Sequence, residues 1–354
     1  GRADSKLGQI SAYRLGQVYL QTGQPEYAIN ALDKAYSTSV NKNISTKALF
    51  LKGKVLINQG QYDLAISSLS SFLEEHPESE HVPEAKDLIA EAYLRTSDYK
   101  RAVRHLEESG IKSRTARSAY QKVTFKAGQR AFNDENFTEA LGFLQKSVQF
   151  PIDRPLAGKG YFLIGELHSL NKDYEKAVPV YEKAVQLLKS NDDLFDRLLY
   201  GRGYAYYNTS QYEKALTDFS TILRISDEGS VKSDATIRVG DCYFVKKEYD
   251  DAVRFYQRVM DTSYGDYATF QLGTIAYLRG NQSKAVENFH HVIQKYPQSY
   301  YADNAAFQLA KLYFENEEFD QAISGYSDFI REFSNSSLIP NALLDRGLSY
   351  SNND

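Results

Sequence analysis

Residues 14–32 read RLGQVYLQTGQPEYAINAL, and residues 47–77 read KALFLKGKVLINQGQYDLAISSLSSFLEEHP. In each stretch a Gly is followed twelve residues later by an Ala: Gly16 with Ala28, and Gly53 with Ala65. The pairing recurs along the chain as Ala90/Ala102, Gly128/Ala140, Gly165/Ala177, Gly203/Ala215, Gly240/Ala252, Gly273/Ala285 and Ala310/Ala322. A last Gly347 has no Ala partner. Successive pairs are 37 or 38 residues apart, and once 33.

Other positions hold the same phase. Three residues after the Gly stands a large side chain in many repeats: Tyr19, Tyr93, Tyr206, Tyr243, Tyr313 and Tyr350. Four residues after the Ala stands another: Leu32, Leu69, Leu106, Leu144, Tyr181, Phe219, Tyr256, Phe289 and Tyr326. A fixed period of this length marks stacked supersecondary units. An ordinary bundle of amphipathic helices shows only the 3.6-residue period. Gly inside a helix costs about 1 kcal/mol relative to Ala, so eight Gly at one phase of ten helices need a reason. Close approach of the paired helix supplies it. The Ala positions follow the same logic, since a Leu there would overpack by about 1–3 kcal/mol. Polar turns such as QTGQPE, NQGQYD, NDENFT, NKDYEK and LRGNQS separate the helices, with Gly and Asn expected to take the left-handed backbone that ends a helix.

This pattern resembles the tetratricopeptide-repeat family, whose signature is a Leu-Gly-x-x-Tyr run followed by an Ala, an aromatic and a Pro, here Pro77 and Pro297. The resemblance covers almost the whole chain, from Ser5 to Asp354. It implies an all-α fold, a right-handed superhelical solenoid of antiparallel helix pairs. Nine repeats start near residues 9, 46, 83, 121, 158, 196, 233, 266 and 303, with a half repeat from 340. A length of 354 residues would suit two or three ordinary domains; the resemblance replaces them with a single continuous solenoid over 1–354. The family period is 34 residues, so the three or four extra in most repeats are expected in longer helices or inter-repeat turns. The last helix carries an apolar face of Leu343, Leu344, Leu348 and Tyr350, which calls for a following helix and makes a fragment of a longer repeat protein the expectation.

Composition is that of a soluble folded chain, 42% hydrophobic and 25% charged. A net charge of −4 gives no general attraction to nucleic acid. The single Cys242 permits no intrachain disulfide. No run reaches the roughly 18–20 apolar residues that span a bilayer. No catalytic or metal motif is present: there is no HExxH, P-loop or GxSxG, and Gly201-Arg202-Gly203 lacks the strand and third Gly of a dinucleotide fingerprint. His290 and His291 are adjacent on a helix and diverge by about 100°. His76 and His81 flank Pro77 as surface histidines. Asn-x-Ser/Thr at Asn43, Asn136, Asn208, Asn281 and Asn335 reads as turn chemistry. No cofactor, metal or enzymatic activity is expected.

Function must then be binding. In the family, positions 2, 5, 9 and 12 of the first helix face a concave groove, counting the Gly/Ala as position 8. On that register the C-terminal half offers an aromatic stripe: Tyr200, Tyr204, Tyr207, Phe244, Phe270, Tyr277, Phe307 and Phe314. The stripe is either an open partner-binding surface or inter-repeat core. Between Lys112 and Arg130 stand six basic residues and no acidic one. Lys122, Lys126 and Arg130 are spaced by four and share a helix face. They dock an acidic segment, or they pair with Glu84, Asp87 and Glu91 of the preceding helix. Lys122 and Lys126 occupy positions that supply basic residues in the family's carboxylate-clamp members, which grip a chaperone's C-terminal carboxylate. The remaining clamp positions hold Phe50, Lys54 and Leu88, so that clamp is incomplete.

The Pro-x-Ser cadence of HPESEHVPEA and KYPQSYYADNAA is similar to repeats of Gram-negative envelope proteins, the outer-membrane assembly lipoproteins and the periplasmic Tol-Pal-associated type. It implies a bacterial periplasmic or cell-envelope scaffold associated with a membrane complex, the alternative being cytoplasmic. The expected function is a non-catalytic scaffold binding a protein or peptide in its groove. The alternatives are a regulatory or docking arm of a larger enzyme or envelope-assembly machine, or an oligosaccharide-processing helper needing a catalytic pair among Glu84, Asp87 and Glu91.

Overall fold

The computed structural model of the protein describes residues 5–38, 40–96, 98–226 and 228–353. The outermost residues of the predicted span, 1–4 and 354, lie outside the described ones. Among the described residues there are nineteen α-helices and no strand, the all-α class that the family resemblance implies. The chain falls into two compact units, residues 1–192 and 193–354.

The first unit holds α1 (Lys6–Gln21), α2 (Pro25–Thr38), α3 (Lys42–Asn58), α4 (Tyr62–Glu75), α5 (Val82–Arg95), α6 (Tyr99–Ser109), α7 (Arg114–Asn133), α8 (Phe137–Gln149), α9 (Arg154–Leu170) and α10 (Tyr174–Leu187). The second holds α11 (Phe195–Asn208), α12 (Tyr212–Ile225), α13 (Gly229–Val245), α14 (Tyr249–Gln257), α15 (Gly265–Leu278), α16 (Gln282–Lys295), α17 (Ala302–Glu315), α18 (Phe319–Glu332) and α19 (Ile339–Asn353). Odd-numbered helices carry the Gly/Ala position and even-numbered ones the Ala. The helices thus pair as nine repeats with α19 as the first helix of a tenth. Within each unit a helix packs on the next along the chain, and odd-numbered helices also touch one another.

The close approach inferred for the Gly positions is present. A Cβ added at Gly53 would stand 2.5 Å from the Leu69 side chain, at Gly128 2.7 Å from Leu144, and at Gly165 2.5 Å from Tyr181. In the second unit Gly203 meets Phe219, Gly240 meets Tyr256 and Gly273 meets Phe289 at 2.7–3.0 Å. These partners are the residues four after each Ala. Gly347, in α19, meets nothing within 4 Å. All nine Ala, from Ala28 to Ala322, have no exposed surface. One contact, repeated, sets the spacing of the pairs.

The turn inside each of the nine repeats is three residues long. Where its middle residue is described, that residue is left-handed, and only Gly23, Gly60 and Gly280 are glycines. Elsewhere Glu135, Lys172, Ser210, Lys247 and Glu317 hold φ of 59–63°. Asn does not take this position, contrary to expectation. The reason is that backbone bonds impose the geometry. In the fourth repeat the Glu135 amide donates to Phe132 and the Asn136 amide to Ala131, and the fifth repeats the arrangement with Lys172 to Ser169 and Asp173 to His168.

The extra residues go to one of two places. Where the first helix of a repeat has 17 or 20 residues (α3, α7, α9, α13), the connection before it has three or four. Where it has 14 (α5, α11, α15, α17), the connection has six or seven. Each form has its own fastening. Ahead of the long α3 and α9, a buried Gln at position 1 of the preceding repeat pairs with the backbone of the next helix's N-cap residue. Gln9 accepts from the Asn41 amide at 2.7 Å and donates to its carbonyl at 3.2 Å; Gln121 makes both bonds with Asp153 at 2.8 Å. The turns Pro297-Gln298-Ser299 and Ser334-Asn335-Ser336 instead lock a hydroxyl onto a position-1 Asp: Ser299 donates to Asp266 at 2.6 Å and Ser336 to Asp303 at 2.7 Å. No described helix is long and apolar enough to cross a membrane.

Two stability measurements follow. Gly165→Ala, against Tyr181, should destabilise by about 1–3 kcal/mol through overpacking. Gly142→Ala, mid-helix with nothing within 4 Å, should stabilise by about 1 kcal/mol; urea unfolding of both variants tests the contrast. Lys172→Gly relieves a left-handed backbone that disfavours L-residues and should raise the unfolding free energy, by at most about 1 kcal/mol, with the urea midpoint rising accordingly.

Candidate partner-binding groove

In the first unit α5, α7 and α9 enclose an open hollow of about 1040 Å³. Its walls carry Arg95 from α5, Arg114, Lys122, Lys126 and Gln129 from α7, and apolar Leu94, Phe125 and Leu156. Glu91 and Asp153 are the acidic residues lining it. Three local features make room. The helix α6 is short, at eleven residues, and α5 leans more on α7 than on α6. The helix α7 is long, at twenty residues, and begins with Arg114 behind the Ser113 N-cap, whose hydroxyl accepts from the Ala116 amide at 2.9 Å.

The predicted basic row divides. Lys122 and Lys126 are exposed and line the hollow together. Lys126 also sits 5.9 Å from the Tyr99 ring centre. Arg130 instead faces a neighbouring hollow of about 330 Å³, with its Nε 3.9 Å from Asp134. Arg117 turns onto the Phe150 ring at 5.4 Å. The carboxylates of α5 are mostly committed elsewhere. Glu84 pairs with Lys54 at 2.6 Å, and Asp87 accepts from the Ser113 hydroxyl. Among the described residues neither Lys122 nor Lys126 has a carboxylate within ion-pair distance. Arg95 joins this group without having been singled out in the sequence; it is position 13 of the third repeat, one residue past the groove positions, where an exposed cation at a helix end carries no signal of its own. The incomplete clamp is also closed structurally: Lys54 is held by Glu84, Phe50 is buried and stacked on His81 with ring centres 4.5 Å apart, and Leu88 packs on the core.

The aromatic stripe lies in the second unit, and each of its rings has an intramolecular partner. The position-12 rings pack across the three-residue turn onto the first aromatic of the next helix: Tyr207 on Tyr212 at 5.5 Å, Phe244 on Tyr249 at 5.9 Å, and Phe314 on Phe319 at 5.8 Å. Position-5 rings pack on the residue that meets the Gly: Tyr200 on Phe219 at 5.8 Å and Phe270 on Phe289 at 5.9 Å. Phe307 is only 7% exposed, against Tyr326 and Phe329. Tyr277 donates to Glu315 at 2.7 Å. The remaining seven residues are half-buried.

Beneath Tyr200 and Tyr204 runs a charged network. Arg238 of α13 lies 5.3 Å from the Tyr204 ring and bonds Asp241 at 2.8 Å, with Asp234 at 3.8 Å. Asp241 also accepts from Tyr256 at 2.8 Å and Tyr267 at 2.7 Å. Burial pushes the Asp241 carboxyl up, opposed by Arg238 and the two phenols. Burial, with Asp234 as hydrogen-bond acceptor, pushes the Tyr200 phenol up, and burial raises Tyr207 to about 12. Burial likewise pushes the Cys242 thiol up to about 12, away from thiolate reactivity. No group of three or more His, Cys, Asp or Glu among the described residues is placed to hold a metal ion. Removing the cation by Arg238→Leu leaves a buried carboxylate unpaired and should destabilise by about 3 kcal/mol. Asp241 would then hold its proton more tightly in the folded than in the unfolded state. Stability should therefore fall as pH rises from the unfolded carboxylate pKa through the native one, so the deficit in urea melts should be smaller at acid than at neutral pH.

Sequence comparisons agree with this repeat architecture. A model of the tetratricopeptide repeat-like domain matches residues 197–328, and tetratricopeptide-repeat models match residues 11–39, 47–79 and 158–189. Together they span well over half of the chain. The TPR repeat-containing protein MJ1428 of Methanocaldococcus jannaschii is 22% identical over 306 residues, covering 80% of this chain and 51% of that protein. The chain thus spans about half the length of that curated relative. Similar solved structures include PilW, a type IV pilus biogenesis factor (12% identity, TM-score 0.49, covering 63% of this chain and 98% of that one). MamA of Desulfovibrio magneticus RS-1 gives 18% identity and a TM-score of 0.44, covering 51% and 97%. YrrB, a TPR protein with an unusual peptide-binding site, gives 24% and 0.39, covering 52% and 90%. By its repeat register, its helix pairing and the repeat models that match it, the chain belongs to the tetratricopeptide-repeat family.

Proposed function

We propose that this chain is a non-catalytic interaction scaffold, and that a peptide or a segment of a partner protein docks in the hollow of α5, α7 and α9. What supports the reading is the pair Lys122 and Lys126: exposed, lining a hollow of about 1040 Å³, and, among the described residues, without a carboxylate within ion-pair distance. Surface charges usually find a neighbour or water at little gain. Two that share a concave wall with Arg95, Arg114 and apolar side chains make a recognition surface. The aromatic stripe supports this division of labour from the other side, because its rings fasten turns and helix pairs within the second unit.

The test is site-specific photo-crosslinking in cells of the source organism. A benzophenone side chain in place of the exposed Gln129 should give discrete adducts with a partner protein, and Lys122→Glu with Lys126→Glu should abolish them. The same probe at Gly142, exposed on α8, should not give those adducts. Adducts that persist unchanged in the double variant, or an absence of adducts from Gln129, would contradict the reading.

A further inference from the structure

We infer that the ligand of this hollow is an internal acidic segment in extended conformation, lying along α7, with no chain terminus gripped. The inference rests on the scaffold reading above and adds the chemistry of what is bound. The first observation is the shape of the positive charge. Arg114, Lys122 and Lys126 all line the hollow from α7 and are twelve residues apart end to end, so at 1.5 Å per residue they mark an axial line about 18 Å long, with Arg114 offset by roughly 80° around the helix from Lys122. At about 3.3 Å per residue an extended chain covers that line with five or six residues. Arg95 stands on the facing helix α5. A terminal carboxylate is a single point of charge and needs donors converging on one spot; a row of cations matches carboxylates spread along a chain.

The second observation is that donors for a terminus are spent. Lys54 is tied to Glu84, Phe50 is buried against His81, and Leu88 packs on the core. The third is the start of α7. Its first turn carries Arg114 and no acidic residue, so a cation sits at the positive end of the helix dipole, where the Asp87 carboxylate on the Ser113 hydroxyl gives part of the relief and a ligand carboxylate adds to it. The fourth separates a peptide from a nucleic acid. The walls include Leu94, Phe125 and Leu156, and also Glu91 and Asp153. A phosphate backbone, charged at every residue, would meet repulsion where it passes those two carboxylates. A peptide with acidic and apolar residues in alternation can direct one set to the cations and the other to the apolar wall.

Fluorescence anisotropy with the full chain tests this, using a labelled six-residue peptide of alternating Glu and Leu. The free-acid and C-terminally amidated forms should bind within about threefold of each other. The Gln/Leu analogue should bind at least about tenfold more weakly, as should the Glu/Leu peptide to the variant with Lys122→Glu and Lys126→Glu. Lys122→Gln with Lys126→Gln, which introduces no new repulsion, should fall between, and added salt should weaken the wild-type complex. Circular dichroism of both double variants should match wild type, since both lysines are exposed. A free-acid peptide binding more than tenfold tighter than its amide would overturn the inference in favour of a terminal clamp. A single-stranded oligonucleotide that displaces the peptide at equal or lower concentration would overturn it in favour of nucleic acid. If no acidic peptide binds while adducts from Gln129 still depend on Lys122 and Lys126, the inference fails and the scaffold reading stands; if those adducts are missing too, both fail.

Discussion

The contact on which the rest depends is the one between a missing Cβ on the first helix of a repeat and a large side chain on the second. At Gly53 the gap is closed by Leu69, at Gly165 by Tyr181 and at Gly240 by Tyr256. A methyl group at these sites would stand closer than packed atoms allow, so the helices sit where only Gly fits. The fully buried Ala on the facing helix works in the same direction. With the pair spacing set by this contact, each repeat can bury its apolar face only against its neighbours. That is why the core is a series of small clusters, such as Ile237, Tyr256 and Leu272 in one and Phe289, Leu309 and Leu312 in another.

A stack of this kind leaves the odd-numbered helices to supply both inter-repeat packing and any groove surface, and the two units divide these tasks differently. In the second unit the groove-register positions carry tyrosines and phenylalanines that pack on intramolecular partners, and the Arg238 network joins α11, α13 and α15 through hydrogen bonds and ring contacts. In the first unit the third repeat is irregular. It has Ala90 in place of Gly, a short α6 and a four-residue connection before the long α7. The hollow opens beside that irregularity, and two of the three α5 carboxylates, Glu84 and Asp87, are held by Lys54 and Ser113.

Most of the fold was legible because its determinants are local and repeated. The twelve-residue spacing from Gly or Ala to Ala, and the large residue four further on, name the two sides of one contact, and nine copies, seven of them beginning with Gly, leave no ambiguity of phase. The left-handed turn residues were less legible. Backbone bonds to Phe132 and Ala131, or to Ser169 and His168, impose that conformation on Glu135 and Lys172, so residue type does not report it. Gln9 and Gln121 were invisible for a different reason: their partners are backbone atoms 32 residues away. The candidate site was half legible. The spacing of Lys122 and Lys126 placed both on one face of α7, but Arg130 departs into a neighbouring hollow, and the contribution of Arg95 depends on how α5 packs against α7. For the aromatic stripe the sequence gives position without partner. A ring at position 12 looks the same whether it meets a ligand or Tyr212.

The most direct test of the packing constraint is a double-mutant cycle at Gly53 and Leu69 in urea unfolding. If the helices are held apart by this one contact, Gly53→Ala should be destabilising beside Leu69 and close to neutral, or stabilising, once Leu69→Ala has removed the opposing branch. The coupling energy should then be about 1–2 kcal/mol. Strictly additive effects of the two substitutions would contradict the account, because they would show that the glycine is not there for the leucine.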